Sequence, residues 1–310
     1  MEDEAVEGPP RIYPDDKVSE PAPAGSDDAP ASIRTSADRA ARRREAALLA
    51  ALAIAGAVIE YPLAFVLRQL DRSDLIRALP FLGVTLVMAA LIPLALRLNR
   101  ELGLPGAPLI AAKIAREKLH FSIRSLLRVS LGYAMLAAMA GASVLAIVIV
   151  PLLLIQHGGG PALKLPPMPM LTVAPGRIAF VGALIAIAAA ISEEIQFRLV
   201  LYAILGWIVR LMSRDSRGHP GRLALWIVTI VQGYLFGLIH LAPLAGTLLH
   251  STPKFLLGGL VMPQTWEGVV FGRLYLRRGL EASIIAHASM DVALFVLAAI
   301  GLLSTHLGAG

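Results

Sequence analysis

The chain has no cysteine. Structural disulfides, a cysteine nucleophile and thiolate metal sites are therefore excluded, and the redox compartment is left open. Charge is scarce as well: Asp, Glu, Lys and Arg make up 16% of the residues, against about 25% in an ordinary soluble domain. No secretory signal opens the sequence. Its first stretch, MEDEAVEGPPRIYPDDKVSEPAPAGSDDAPAS, is acidic, Pro-rich and nearly free of large apolar side chains. Disorder is expected to about residue 37, in a tail spanning 1–45 that ends in a basic cluster. The net charge of +6 does not indicate a nucleic-acid surface. The arginines gather between apolar blocks, where they set topology and meet lipid headgroups.

What the chain does have is apolar length. Of 310 residues, 56% are hydrophobic, and the mean hydropathy is +0.70. Several blocks of Leu, Ala, Ile, Val and Gly reach the roughly 20 residues that cross a bilayer. The expected fold is all-α, a polytopic transmembrane helix bundle of about seven spans, with six to eight as the range.

Spans are expected near 46–67, 79–96, 129–155, 177–209, 223–241, 253–276 and 280–303. The sixth should be broken by Gly258, Gly259, Pro263 and Glu267, and a break at membrane depth must be shielded by protein or line a wet cavity. Between the second and third spans, PLIAAKIAREKLHFSI has the composition of an interfacial segment. QHGGGPALKLPPMPMLTVAPG reads as an external loop. Arg39, Arg42, Arg43 and Arg44 before the first span place the N-terminus in the cytoplasm, and seven spans then put the C-terminus outside. The first three spans and their connections, 46–170, form an N-terminal part distinct from a core at 171–305, which the fourth span opens.

Three polar clusters interrupt the apolar background. ISEEIQFRLV carries Glu193, Glu194 and Arg198; YLFGLIH ends in His240; HASMD holds His287 and Asp291. Ionisable residues inside spans are costly and are functional suspects by default. Glu194 and Arg198 are four apart, as are His287 and Asp291, so each pair shares a helix face. Glu193 points about 100° away from Glu194, which frees it for different work.

Trp207 and Trp226 are candidate interface anchors. Glu193 lies fourteen residues from the first and His240 fourteen from the second. Each separation is about 21 Å of helix, so the two would meet at similar depth. A glutamate beside a histidine can take a proton from water and return it to a leaving amine, and a second histidine with a hydrogen-bonding neighbour can stabilise an oxyanion. Glu, two His and Asp also make up a set of metal ligands. The residues alone leave both mechanisms open.

These motifs, in this order, resemble the CPBP family of intramembrane proteases, which includes the type II CAAX prenyl endopeptidases. EExxxR matches EEIQFR at 193–198, FxxxH matches FGLIH at 236–240, and the final His with Asn or Asp four residues on matches HASMD at 287–291. A glycine-rich GVVFGRLYLRRG at 268–279 sits where the family has a similar segment. The resemblance covers about 170–305. It implies a helical bundle with an internal water-accessible cavity and an endopeptidase activity. It also implies roles: Glu193 activates water with His240, His287 and Asp291 stabilise the oxyanion, and Glu194 with Arg198 forms a supporting charged pair.

Prenyl endopeptidases commonly have Asn at the position of Asp291. An ionised Asp would repel an oxyanion, so Asp291 must be protonated, orient His287 or bind a metal. A divalent ion such as zinc therefore stays open as a cofactor. The implied partners are membrane lipid and a membrane-associated protein or peptide, C-terminally processed or prenylated. The implied location is a bacterial inner membrane. A non-enzymatic immunity or scaffold protein of the same fold and an ion-coupled transporter are the competing functions.

Overall fold

The computed structural model describes residues 31–68, 72–119, 121–157, 174–213, 218–240 and 254–308. The described residues are almost wholly helical, with no strand among them. In chain order the elements are α1 (Ala31–Arg68), α2 (Arg72–Glu101), α3 (Pro108–Ala115), α4 (Ile123–His157), α5 (Pro175–Glu194), a π-helical segment (Ile195–Leu201), α6 (Tyr202–Met212), α7 (Arg222–Ile239), α8 (Lys254–Arg278) and α9 (Leu280–Gly308).

Among the described residues, six stretches are long and apolar enough to cross a membrane: 38–64, 79–101, 123–143, 175–212, 222–239 and 280–303. They correspond to six of the expected spans. The seventh, α8, carries Glu267, Arg273, Arg277 and Arg278 and is less apolar, but it packs closely on α7 and α4 inside the bundle.

Two local expectations are revised, and a third lies outside the described residues. Helix begins at Ala31, inside the stretch expected to be disordered, while residues 1–30 lie outside the described residues. The expected external loop falls mostly at 158–173, also outside them. The expected break in the sixth span is absent: Lys254–Arg278 is one helix with Pro263 inside it. Proline removes one N–H and its ring crowds the carbonyl four residues back. That residue is Gly259, and neighbouring helices tolerate such a defect in a membrane bundle.

Glycine sets the spacing of the central pair. Gly233 and Gly237 on α7 face Gly268 and Gly272 on α8. A Cβ on Gly268 would lie 2.6 Å from Gly233 Cα, and one on Gly237 would meet Thr265 Oγ1 and lie 2.7 Å from the Val261 carbonyl. This small-xxx-small arrangement lets two backbones touch in a medium where apolar side chains gain nothing from leaving solvent.

Interhelical polar contacts fix the rest. Asn99 on α2 donates from Nδ2 to the Leu199 carbonyl at 3.1 Å, and Tyr275 on α8 donates to Asn99 Oδ1 at 2.7 Å. The turn from α8 to α9 passes through Gly279 with φ +89°, a conformation that suits only glycine. There Leu280 N–H donates to the Gly106 carbonyl at 2.9 Å, and Glu281 accepts from Ile110 N–H at 2.8 Å.

Candidate active site

Four elements converge on one polar cluster: the end of α5, the π segment, α7 and α9. Glu193 and Glu194 close α5, and Arg198 follows within the π turn. π segments are uncommon, leave backbone groups out of register and occur often at functional sites. Here the Leu199 carbonyl is taken up by Asn99.

Glu194 and Arg198 are both fully buried, with Arg198 Nε 3.0 Å from Glu194 Oε2. The approach is close without being aligned as a hydrogen bond, and Nη1 and Nη2 make none to protein. The guanidinium instead lies over the Phe236 ring, 4.7 Å from its centroid, a stabilising placement for a desolvated cation.

The second oxygen of Glu194 reaches α9. His287 Nδ1 lies 2.9 Å from Glu194 Oε1. The other ring nitrogen, Nε2, lies 3.3 Å from Asp291 Oδ2 and 3.9 Å from Glu193 Oε2. The ring is also stacked on Phe271, with centroids 5.2 Å apart. His287 thus stands between three carboxyl groups, and a ring bearing both N–H groups can donate on both sides. Glu193 and Asp291 are the partly open members, with side chains 16% and 24% exposed.

His240 ends α7 beside this group. Its Nδ1 lies 2.8 Å from the Phe236 carbonyl. A carbonyl only accepts, so Nδ1 carries the proton and a neutral ring presents its Nε2 lone pair. Its ring packs on Phe236 at 4.7 Å, and Phe236 in turn meets the His287 ring edge-on at 5.8 Å. His240 lies within electrostatic range of His287, Asp291 and Arg198. Among the described residues, Glu193 has an ion-pair contact with His287 at 3.9 Å and none with His240.

Two further carboxylates border the cluster. Glu60 on α1 accepts from Ser192 Oγ at 3.3 Å, and Glu267 on α8 lies within electrostatic range of Asp291, His287 and Arg198. Sequence reasoning counted Glu267 only as a helix interruption and passed over Glu60. The signal was present for both, since each is an acid inside an apolar run. Among the described residues, no three His, Asp or Glu side chains converge as metal ligands. No step below is routed through a metal.

The apolar helices are those of an integral membrane protein, and they enclose a buried acid–histidine cluster. Residues 175–293 match the family model described as type II CAAX prenyl endopeptidase Rce1-like, which makes that stretch similar to the CPBP/CAAX proteases. The matched stretch runs from α5 into α9 and contains all six motif residues. No curated protein gives a significant match, and no solved structure does.

Proposed function

We propose that this chain is an intramembrane endopeptidase in which Glu193 activates water to hydrolyse a peptide bond of a membrane-associated protein or peptide. The observation that carries the reading is the position of Glu193: partly open, 3.9 Å from His287 Nε2, and beside a histidine locked between Glu194 and Asp291. Glu193 takes a proton from water as the oxygen attacks the carbonyl carbon. The same proton then passes to the leaving amine as the tetrahedral intermediate collapses. His287, donating from Nε2, stabilises the oxyanion.

Asp291, 3.3 Å from Nε2, orients the ring, and the single Nε2–H is shared between Asp291 and the oxyanion as that charge develops. His240 Nε2 accepts from the attacking water and orients it. Glu194 and Arg198 fix the turn from which Glu193 projects. Substrate enters from the bilayer, C-terminally processed or prenylated, in a bacterial inner membrane with the N-terminus cytoplasmic.

The test compares protein termini in cells carrying the wild type and Glu193→Gln. New C-termini present only with the wild type identify the substrate. Purified Glu193→Gln should then cleave it at least about 10³-fold more slowly at unchanged stability. Full cleavage by a folded Glu193→Gln would defeat the reading, and equal termini in the two strains would favour the scaffold alternative. Assay with and without chelator examines the metal question directly.

A further inference from the structure

A groove of about 410 Å³ runs between the first part of α1 and the last part of α2, outside the stretch matched to the protease family. Two helix faces build it. Arg43, Ala47 and Ala50 recur at three- and four-residue spacing on α1, as do Ala89, Pro93, Leu96 and Arg100 on α2, so each set lines one wall. Arg42 joins the lining beside Arg43. Glu45 lies within electrostatic range of both Arg42 and Arg100, which puts the three arginines at the same end. Ala50 and Ala89 stand at the other end, about 12 Å and about 16 Å along their helices from Arg42 and Arg100. The hollow exists because alanine stops at Cβ. Ala47 and Ala90 line it and are exposed, whereas Ala89 and Leu96 are buried.

Charge is confined to the arginine end. Residues 38–45 and 97–101 hold six arginines against three carboxylates, Asp38, Glu45 and Glu101. Glu101 is bonded to Arg97 at 2.8 Å and Glu45 stands near Arg42 and Arg100, so positive charge is in excess with these acids counted. A guanidinium fork fits the oxygens of a phosphate, and a basic pocket between spanning helices suits an anionic lipid headgroup. A phospholipid carries its phosphate at the head of an apolar chain. The alanine-lined continuation of the groove matches that chain, and it offers nothing to a free phosphate. The groove also backs onto the packing beneath the candidate site. Ala89 and Leu96 belong to the same buried cluster as Leu199 and Val200 of the π segment, and Asn99, next to Arg100, holds the Leu199 carbonyl.

We propose that this groove is a binding site for one anionic phospholipid, with its phosphate on Arg42, Arg43 and Arg100 and an acyl chain along Ala47, Ala50 and Ala90, clamping α1 to α2. It fixes a single lipid at a single place, beyond the general meeting of interfacial arginines with headgroups, and it does not depend on the role of Glu193.

The experiment uses the full-length protein, stripped of lipid in detergent and titrated with phosphatidylglycerol or with phosphatidylcholine of the same acyl chains. Native mass spectrometry reads the bound lipid and thermal unfolding reads the stabilisation that binding confers. Phosphatidylglycerol should be retained in one copy, bind at least about tenfold more tightly than phosphatidylcholine, and raise the thermal transition. Inorganic phosphate should not raise it. Arg42→Gln with Arg100→Gln should abolish the preference, while Arg124→Gln with Arg128→Gln, which removes equal charge at the start of α4, should keep it. Ala47→Phe fills the groove with every arginine in place and should also abolish retention. If it lowers the lipid-free transition, Ala90→Phe on the opposite wall makes the same test. Equal titrations for the two lipids, or wild-type retention in the arginine pair or in a filled groove, would overturn the proposal. So would equal stabilisation by inorganic phosphate, which would assign the arginines to a free anion, or an equal loss in the α4 pair, which would assign the effect to overall charge.

Discussion

His287 and Arg198 are the two side chains on which the arrangement of carboxylates depends. His287 contacts carboxyl oxygens through both ring nitrogens. Replacing it with Ala removes the oxyanion donor and leaves Glu194 and Asp291 facing each other, so cleavage should fall by at least about 10²-fold. Asp291→Asn keeps a hydrogen-bonding side chain beside Nε2 and should remain within about tenfold of the wild type. Kinetics on the identified substrate would separate these outcomes, and a dead Asp291→Asn would mean that the ionised carboxylate has a direct chemical part.

Arg198 is a stability residue of the same cluster. With both partners fully buried, Arg198→Met removes the guanidinium from Glu194 and leaves its Oε2 facing an apolar side chain, with His287 still on Oε1. The expected loss is about 3–5 kcal/mol, read as a lower thermal transition in detergent. Arg198→Lys should recover only part of it, because an ammonium cannot lie flat over Phe236 as a guanidinium does.

At the level of elements, the π segment and the α7–α8 pair make the strongest demands. Asn99→Leu would strand the Leu199 carbonyl and the Tyr275 hydroxyl together, at about 1–3 kcal/mol for each buried group left unpaired. Gly268→Val would push α8 off α7 at the Gly233 contact and should cost about 1–3 kcal/mol. Both losses would appear in thermal unfolding, and Gly268→Val should also lower activity, because α7 carries His240.

The helices themselves were legible from the sequence, since a run of about 20 apolar residues has few other uses. The pairs Glu194–Arg198 and His287–Asp291 were legible from four-residue spacing, but not the contact of one pair with the other. The partner of Glu193 was not: depth measured from Trp207 and Trp226 aligned it with His240, but depth says nothing about rotation around a helix axis. The π turn was equally hidden, since it changes that rotation without a proline or glycine to mark it. Glu60 and Glu267 went unassigned because a lone acid does not declare which neighbouring helix its face will meet.

For the molecule as a whole, orientation is the first matter to test. The absence of cysteine makes single-cysteine labelling clean. With Arg39, Arg42, Arg43 and Arg44 cytoplasmic, a cysteine at Ala41 should react only after the membrane is permeabilised, and one placed in 158–173 should react in intact cells. The reverse pattern would invert the topology. A broader consequence follows from the turn at Gly279. Its hydrogen bonds run to Gly106 and Ile110, and the π carbonyl is held by Asn99, so the family-matched stretch borrows its fastenings from the first half of the chain. The unit that carries the motifs is therefore smaller than the unit that folds. Severed within 158–173 and produced together, the two halves should find each other and restore cleavage, whereas the C-terminal half produced alone should be degraded.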